Sequence, residues 1–200
     1  SVAPDVRPLS EGNILVFAAG SLTGTSFPGS SRIALVTKNV LTGGISTSSG
    51  GGNLGPKFRQ AGLDALVVSG RSSSPCWILL KDGQVEIRDG SDLWGLSVSA
   101  ATDAVRRATG DPGAETASIG IAGERLAAVS CVMIGSAHAL AWGGSGAVMG
   151  FKNLKAVAAS GRFHPAAADG DAFLEESRRY SWILRASSAS AALRTGGTHG

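Results

Sequence analysis

A glycine-rich stretch at residues 138–156 has a composition typical of a binding site. It reads HALAWGGSGAVMGFKNLKA and contains four glycines and two lysines. Glycine lets the backbone approach a ligand closely, or turn where a side chain would clash. The stretch therefore indicates contact with a nucleotide, with another phosphate-bearing cofactor, or with another segment of the same chain.

The first phosphate-binding motif to test is the P-loop, which the segment GGNLGPKF resembles in outline. Gly50 and Gly55 have the required separation, but Pro56 occupies the position of the lysine. No serine or threonine follows Lys57. Because proline also removes a backbone N–H that a phosphate would need, the segment is not a P-loop.

The dinucleotide fingerprint and the common metal motifs are absent as well. Gly144, Gly146 and Gly150 are spaced one residue too widely, and no clear strand leads directly into them. The three histidines and two cysteines show none of the spacings of a structural zinc site, and no G-x-S-x-G motif is present. Local motifs alone therefore leave only a glycine-rich, mildly basic domain.

Composition excludes several classes of protein. Hydrophobic residues make up 43% of the 200 residues, which is enough for a large core. The net charge of +3 comes from scattered basic residues, so we expect no nucleic-acid partner. No apolar run is long enough for a membrane span, and we expect no membrane partner. Cys76 and Cys131 are typical of reduced, buried thiols, which favours the cytoplasm.

The chain is predicted to contain more strands than helices. Apolar runs at residues 13–19, 32–40 and 64–70 predict strands, and Asp82-Gly83 predicts the turn of a hairpin. Further strands are expected in TASIGIAG, LAAVSCVMIG and LKAVAASG. Two helices are expected, over 97–110 between an N-cap serine (Ser97 or Ser99) and Gly110, and over 169–194. Since the helices come late and do not alternate with strands, the fold class is α+β.

Three segments together resemble the N-terminal domain of the aldehyde:ferredoxin oxidoreductase family of tungsten-pterin enzymes. Residues 13–71 resemble the family's G-x-L-T-G-T-x-x-P-x-x-x-R, T-K-x-x-L-T-G and A-G-x-D-A elements. Residues 119–134 are similar to its I-G-P-A-G-E segment, and GGSGAVMGFKNLKA is similar to its G-G-x-G-A-V-M-G-S-K-N-L-K-A. The three segments occur in the family's order and cover nearly the whole chain.

The resemblance implies a fold, a cofactor and partners. We expect two related β-sheets that form a platform under a bis-pterin complex of tungsten or molybdenum. The [4Fe–4S] cluster is expected only in downstream domains, because two cysteines cannot hold it. The implied reaction oxidises aldehydes to carboxylic acids and passes electrons to a ferredoxin-like carrier. Residues 1–165 are expected to form the N-terminal domain, and 166–200 a helix and linker toward a second domain; the family's opening strand and helix are expected to be missing.

The resemblance also implies a set of cofactor contacts. Bare backbone amides at two glycine turns, near Gly51 and Gly144, are expected to converge with a guanidinium on a flat anionic ligand. No catalytic residue and no protein ligand to the metal is expected in this segment. The positions that match the family's pterin contacts are Arg32, Ser49, Gly51, His138, Ala139, Ala141 and Trp142.

The match at those positions is uneven. Ser49 replaces an asparagine, Ala141 replaces a glycine, and His138 and Trp142 stand where the family has arginines. Loss of two permanent cations weakens an anion site. An alternative function is therefore a divergent, non-catalytic scaffold or assembly module that has kept the fold and lost the cofactor.

Several of these residues could instead have structural roles. Arg32 could pair with Asp64 instead of a cofactor, His138 could be a structural histidine, and Trp142 could belong to the core. Lys152 and Lys155 are interpreted as a solvated edge, and Glu124 as structural. The glycines of the GGSG segment serve chain packing under either interpretation.

Overall fold

The computed structural model describes residues 2–197, and within them the chain forms two β-sheets and six helices. Ser1 and residues 198–200, which end the predicted linker, lie outside the described residues. The strands are β1 Leu15–Ala19, β2 Ile33–Lys38, β3 Ile45–Gly50, β4 Ala65–Val68, β5 Cys76–Lys81, β6 Gln84–Asp89, β7 Glu115–Ser118, β8 Val132–Ile134, β9 His138–Leu140 and β10 Leu154–Ser160. The helices are α1 Leu54–Gln60, α2 Val98–Thr109, α3 Ile121–Glu124, α4 Ser145–Phe151, α5 Gly170–Ala186 and α6 Ser188–Gly196.

The two sheets differ in size but share a four-strand pattern. The smaller one, sheet A, has the order β3-β2-β1-β4, and every neighbouring pair is antiparallel. The larger one, sheet B, has the order β6-β5-β10-β7-β8-β9. Its β10, β7, β8 and β9 are also antiparallel, while β5 runs parallel to β10. The predicted α+β class with two related sheets is confirmed.

The main core lies between the sheets. Alternation along the strands directs one set of apolar side chains inward from each sheet, as a half-buried strand requires. Leu15 and Phe17 of sheet A and Ile134 and Val157 of sheet B belong to one buried cluster. A second cluster lies on the outer face of sheet B, where Val105 of α2 packs over that sheet. Sheet B is therefore covered on both faces.

The chain contains an internal structural repeat. The order β1-β2-β3-α1-β4 recurs as β7-β8-β9-α4-β10, with the same antiparallel pairings. Both helices have seven residues and follow a glycine-rich segment. Both repeats end on an Ala-x-x-x-Ser-Gly sequence, at residues 65–70 and 156–161. One repeat therefore contributes sheet A and the other contributes most of sheet B.

The local turn and capping signals are confirmed. The hairpin forms around Asp82 and Gly83, which both have positive φ. Helix α2 begins where the Ser97 side chain accepts a hydrogen bond from the amide of Ala100, and ends where Gly110 adopts φ 68°. The predicted helix over 169–194 divides into α5 and α6 at Ser187.

The prediction that helices come late is wrong, because three short helices lie among the strands. Helix α1 occupies the segment tested as a P-loop, and α4 occupies the glycine-rich stretch. In TASIGIAG and LAAVSCVMIG only residues 116–118 and 132–134 are extended, and the intervening α3 contains Gly123. A Cβ at Gly123 would lie 2.9 Å from the Gly146 carbonyl oxygen. Close packing of α3 on α4 therefore requires glycine and outweighs its low helix propensity.

The interpretation of the two lysines as a solvated edge is also wrong. Lys152 is 2% exposed and donates to the carbonyl oxygens of Asn13 and Gly70 at 2.6 and 2.7 Å. Burial lowers the pKa of Lys152, because desolvation disfavours its charged form. Lys155 is fully buried and is paired with Glu124, whose structural role is confirmed. The amines of Lys152 and Lys155 thus connect the α4–β10 segment to distant parts of the chain.

Two further features bear on the sequence predictions. Cys76 and Cys131 are both free thiols, Cys76 buried and Cys131 partly exposed. Burial raises the pKa of Cys76. Within residues 2–197, none of the helices has both the length and the apolar character required to cross a bilayer.

Candidate functional site

The two glycine-rich segments lie against each other along the edge strand β3. The His138 ring packs on Gly52, where an added Cβ would lie 2.7 Å from the ring Cδ2. A Cβ at Gly143 would overlap the side chain of Ser46, and the amide of Val40 donates to the Gly143 carbonyl at 3.1 Å. The two segments are thus in contact, but Gly143 packs on Ser46 near the start of β3, whereas Gly51 follows the end of that strand. The convergence of the two turns on one ligand stays a prediction.

Arg32 is an exposed residue that reaches across to the edge strand β3. Its Nε donates to Ser49 Oγ at 2.9 Å and its Nη2 donates to the Ser49 carbonyl at 2.6 Å. A guanidinium has five N–H donors, so three remain without a partner among residues 2–197. The alternative ion pair with Asp64 is absent, since Asp64 pairs with Arg59. Arg32 is thus held at the edge of the site with donors to spare.

Ser49 and Ala139 occupy equivalent positions in the two repeats. In sheet A one row of paired residues runs Ala65, Ala18, Ala34, Ser49. In sheet B the corresponding row runs Ala156, Ser118, Met133, Ala139. Each row starts at the alanine of the shared Ala-x-x-x-Ser-Gly sequence and ends on an edge strand. Gly51 and Ala141 follow two residues later and are equivalent in the same way.

At both positions the backbone N–H and C=O point away from the neighbouring strand. The register of hydrogen bonds around Asn39 and Gly44 directs the N–H and C=O of Ser49 away from β2. The bond from the Gly135 amide to the Thr116 carbonyl similarly directs those of Ala139 away from β8. Each edge strand therefore directs one backbone donor and one acceptor outward from its sheet, and at Ser49 the acceptor already receives a hydrogen bond from Arg32.

The remaining predicted residues are exposed. His138, Ala139, Ala141 and Trp142 are all exposed, and Trp142 is 65% exposed, so the alternative that it belongs to the core is excluded. Gly51 has no atom within 4 Å of a Cβ built on it. Its surroundings are open enough for a ligand to approach the backbone.

The two half-sites differ in charge. The residue that corresponds to Arg32, two positions before Met133, is Cys131. Cys131 lies 3.7 Å from the sulfur of Met133 and is partly exposed. The first half-site therefore has a permanent cation, whereas the second has a thiol there and an imidazole at His138.

A groove that was not predicted from the sequence lies beside Arg32. Its volume is about 410 Å³, and the loop before β2 lines it together with Tyr180 of α5. The Phe27 ring of this loop stacks on Tyr180 at 5.1 Å and contacts Phe173 at 6.2 Å. The T-G-T-x-x-P spacing, which resembles the family's, lies in this loop, but only the fold brings α5 to it.

The candidate residues offer few charged groups. Arg32 supplies planar donors of the kind suited to phosphate, and the two edge strands supply backbone groups in equivalent registers. Within residues 2–197 there is no group of three or more histidine, cysteine and carboxylate side chains that could hold a metal ion.

Comparison with known proteins shows the family of this chain. The profile of the family "Aldehyde ferredoxin oxidoreductase, N-terminal domain" matches residues 1–161. The tungsten-containing aldehyde ferredoxin oxidoreductase of Pyrococcus furiosus is 44% identical over 171 residues, which are 86% of this chain and 28% of that protein. The aliphatic sulfonate oxidoreductase WOR-like subunit of the same organism is 34% identical, over 78% of this chain and 27% of that protein.

A solved structure has the same fold. The active-site complex BamBC of benzoyl coenzyme A reductase, in complex with 1,5-dienoyl-CoA, superposes with a TM-score of 0.89 at 32% identity. The match covers 92% of this chain and 28% of that one. The chain thus spans a little over a quarter of the length of the relatives it matches. Both the sequence match and the shared two-sheet fold place this chain in the aldehyde ferredoxin oxidoreductase family, as its N-terminal domain.

Proposed function

We propose that this domain binds the pterin cofactor of a tungsten- or molybdenum-dependent oxidoreductase. The whole enzyme would oxidise aldehydes to carboxylic acids and pass electrons to a ferredoxin-like carrier. The remaining domains or a partner subunit would hold the [4Fe–4S] cluster and the substrate pocket, in the cytoplasm. The observation that carries the proposal is the pair of equivalent half-sites, because a bis-pterin also has two equivalent halves.

Each half-site would hold one pterin. Arg32, Ser49 and Gly51 would contact the first, with the free guanidinium donors directed to its phosphate. His138, Ala139, Ala141 and Trp142 would contact the second, where the exposed indole could lie against a flat ring. The backbone groups of Ser49 and Ala139 would hydrogen-bond to equivalent atoms of the two halves.

The protein's contribution would be binding and orientation. When bound, a tungsten or molybdenum pterin supplies oxygen-atom and electron transfer. None of the seven residues is placed as a general acid or base. Arg32 would neutralise negative charge, while the glycines let the main chain approach the ligand closely.

A second candidate function rests on the charge difference between the half-sites. Cys131 and His138 leave the second half-site without a permanent cation, which is the change expected in a scaffold that has lost its cofactor. In that case the fold would serve assembly, and the equivalent edges would bind protein or remain open.

Metal and pterin analysis of the full-length protein distinguishes the two candidates. The protein is purified after growth with tungstate and, separately, with molybdate. We expect about two pterins and one metal atom per polypeptide, by fluorescence of the oxidised pterin and by mass spectrometry of the metal. A folded protein with neither group under both conditions contradicts cofactor binding and supports the scaffold.

A further inference from the structure

Helix α5 borders a second groove, which differs in chemistry from the candidate site. This α5 groove has a volume of about 350 Å³ and lies between the helix and Ser26 of the loop before β2. The Phe27 ring of the same loop stacks on Tyr180 at 5.1 Å and so holds the helix against the loop. None of the seven residues of the candidate site lines the α5 groove. The α5 groove is therefore a separate feature of the fold.

One face of α5 presents an indole between two guanidinium groups. Arg178, Trp182 and Arg185 line the α5 groove and follow each other at intervals of four and three residues, which places them on one face of the helix. Trp182 is 70% exposed, and both arginines are exposed. Within residues 2–197 neither arginine forms an ion pair. Two permanent cations are thus available to a negatively charged ligand.

Serine hydroxyls line the same groove. Ser26 comes from the loop, whereas Ser177 and Ser181 come from α5. Ser177 is 5% exposed, and its hydroxyl is buried without a hydrogen-bond partner within residues 2–197. Buried polar groups in folded proteins are hydrogen-bonded, so each exception requires an explanation. The unsatisfied hydroxyl of Ser177 points to a ligand that supplies the missing partner.

Taken together, these groups match the parts of a nucleotide. A guanidinium binds phosphate through planar paired donors, and serine hydroxyls donate to phosphate oxygens. An exposed indole stacks on the flat face of any nucleobase. Among residues 2–197, no aspartate or glutamate lines the α5 groove, so its own side chains do not repel an anion. An inorganic anion would leave the indole without a partner, and an uncharged ring would leave both guanidinium groups without one.

We propose that the α5 groove binds a phosphorylated ligand with a flat aromatic ring, of the nucleotide class. Trp182 stacks on the ring, and Arg178 and Arg185 neutralise the charge of the phosphate groups. The hydroxyls of Ser26 and Ser177 donate to phosphate oxygens. The proposal does not rest on the proposed function, because the pterin is assigned to other residues.

Isothermal titration of the full-length protein tests the class of ligand. ADP is the probe, with adenosine as the ring without charge and pyrophosphate as the charge without a ring. Because stacking and charge neutralisation both contribute, we expect ADP to bind at least about 10-fold more tightly than either fragment. Absence of saturable ADP binding to the folded protein overturns the proposal.

Variants of α5 locate the site. Trp182→Ala should weaken ADP binding at least about 10-fold and leave pyrophosphate binding unchanged, whereas Arg178→Ala/Arg185→Ala should weaken the binding of both. Arg179→Ala is the matched control, because Arg179 pairs with Glu176 and lies outside the α5 groove. All four side chains are exposed, so each variant should fold with a thermal transition close to that of the parent protein. An equal loss of ADP binding in Arg179→Ala contradicts a site in the α5 groove.

Arg32→Ala separates this proposal from the proposed cofactor site. Arg32 does not line the α5 groove, so ADP binding should be unchanged in this variant. Loss of ADP binding in Arg32→Ala, with binding retained in Trp182→Ala, would place the nucleotide at the candidate site and overturn the proposal. A full-length protein without pterin that still binds ADP would contradict only the proposed cofactor function.

Discussion

The ring of His138 lies against Gly52, and this contact joins the two glycine-rich segments. Gly52 has φ 84°, and a Cβ there would lie 2.7 Å from the ring Cδ2. We expect Gly52→Ala to lower the free energy of unfolding by about 1–2 kcal/mol, the cost of a left-handed conformation, or by more because of the clash. Urea unfolding of the isolated chain measures it.

Gly51→Ala is the matched control for this prediction. Gly51 lacks a left-handed φ, and nothing lies within 4 Å of its added Cβ. Its stability should change by less than about 0.5 kcal/mol. Truncation of the ring in the double variant Gly52→Ala/His138→Ala should recover part of the loss. Equal destabilisation by Gly51→Ala and Gly52→Ala would show that His138 is not the neighbour that matters.

The buried pair of Lys155 and Glu124 predicts a strong coupling. Their side chains are 0% and 5% exposed, and Lys155 also donates to the Leu96 carbonyl at 2.8 Å. Lys155→Met leaves the Glu124 carboxylate buried without its cation. We expect a loss of about 3–5 kcal/mol in the free energy of unfolding.

A double-mutant cycle separates the pair from the packing. Lys155→Met/Glu124→Leu removes both charges and should be much less destabilising than the two single changes added together. The Gly95 amide, which donates to Glu124 at 3.0 Å, then loses its acceptor, so recovery should be incomplete. Additive effects in urea unfolding would contradict a coupled ion pair.

Arg32→Ala should separate cofactor binding from folding. The residue is exposed and its two bonds to Ser49 lie at the surface, so the thermal transition should move by no more than a few degrees. The metal and pterin content of the full-length protein should fall at least several-fold, because the guanidinium donors are lost.

Two further variants show whether the loss of cofactor in Arg32→Ala comes from the charge and the planar donors of this residue. Arg32→Lys keeps the charge without the planar donors and should retain an intermediate cofactor content. Arg162→Ala removes another exposed arginine, outside the candidate site, and should leave the content unchanged. Unfolding of Arg32→Ala, or an unchanged cofactor content, would mark Arg32 as structural.

The lowered pKa of Asp111 predicts that the stability of the fold depends slightly on pH, with a definite sign. The Ser160 hydroxyl, which donates to Asp111 Oδ2 at 2.6 Å, and then the Gly113 amide lower the pKa of this carboxyl. A carboxyl whose folded pKa lies below its unfolded value stabilises the protein above the unfolded pKa. That stabilisation disappears as the pH falls through the folded pKa.

Ser160→Ala tests this assignment. Loss of the hydroxyl should raise the pKa of Asp111 toward its ordinary value, as followed by NMR titration of the side-chain carboxyl. Ser91→Ala, which removes a similar serine–aspartate bond at Asp89, should leave the Asp111 titration unchanged. A pKa of Asp111 unaffected by Ser160→Ala would contradict the hydrogen bond as the main cause.

The sequence alone was sufficient where the determining interactions are local. The Asp82-Gly83 turn, the Ser97 cap and the Gly110 stop act on neighbouring residues, so the hairpin and α2 could be predicted. The family resemblance rested on contiguous motifs and gave the α+β class with two related sheets. These features need no knowledge of which distant segments meet.

The short helices α1 and α4 depended on tertiary packing. Their glycines and proline oppose helix formation in isolation, and the sequence therefore indicated loops. In the fold, a Cβ at Gly55 would lie 2.7 Å from the Ser31 carbonyl oxygen, and α4 packs equally closely on α3. Only contact with distant backbone explains why glycine is required in these helices.

Charge environment was likewise decided by the fold. Lys152 and Lys155 have the spacing of a surface edge, yet both are buried, because carbonyl groups and Glu124 from distant segments satisfy them. The sequence determined which residue types could bind an anion, namely Arg32 and the glycine turns. The tertiary structure decided that Ser49 and Ala139 are equivalent, since equivalence arises from strand pairing between residues far apart in the chain.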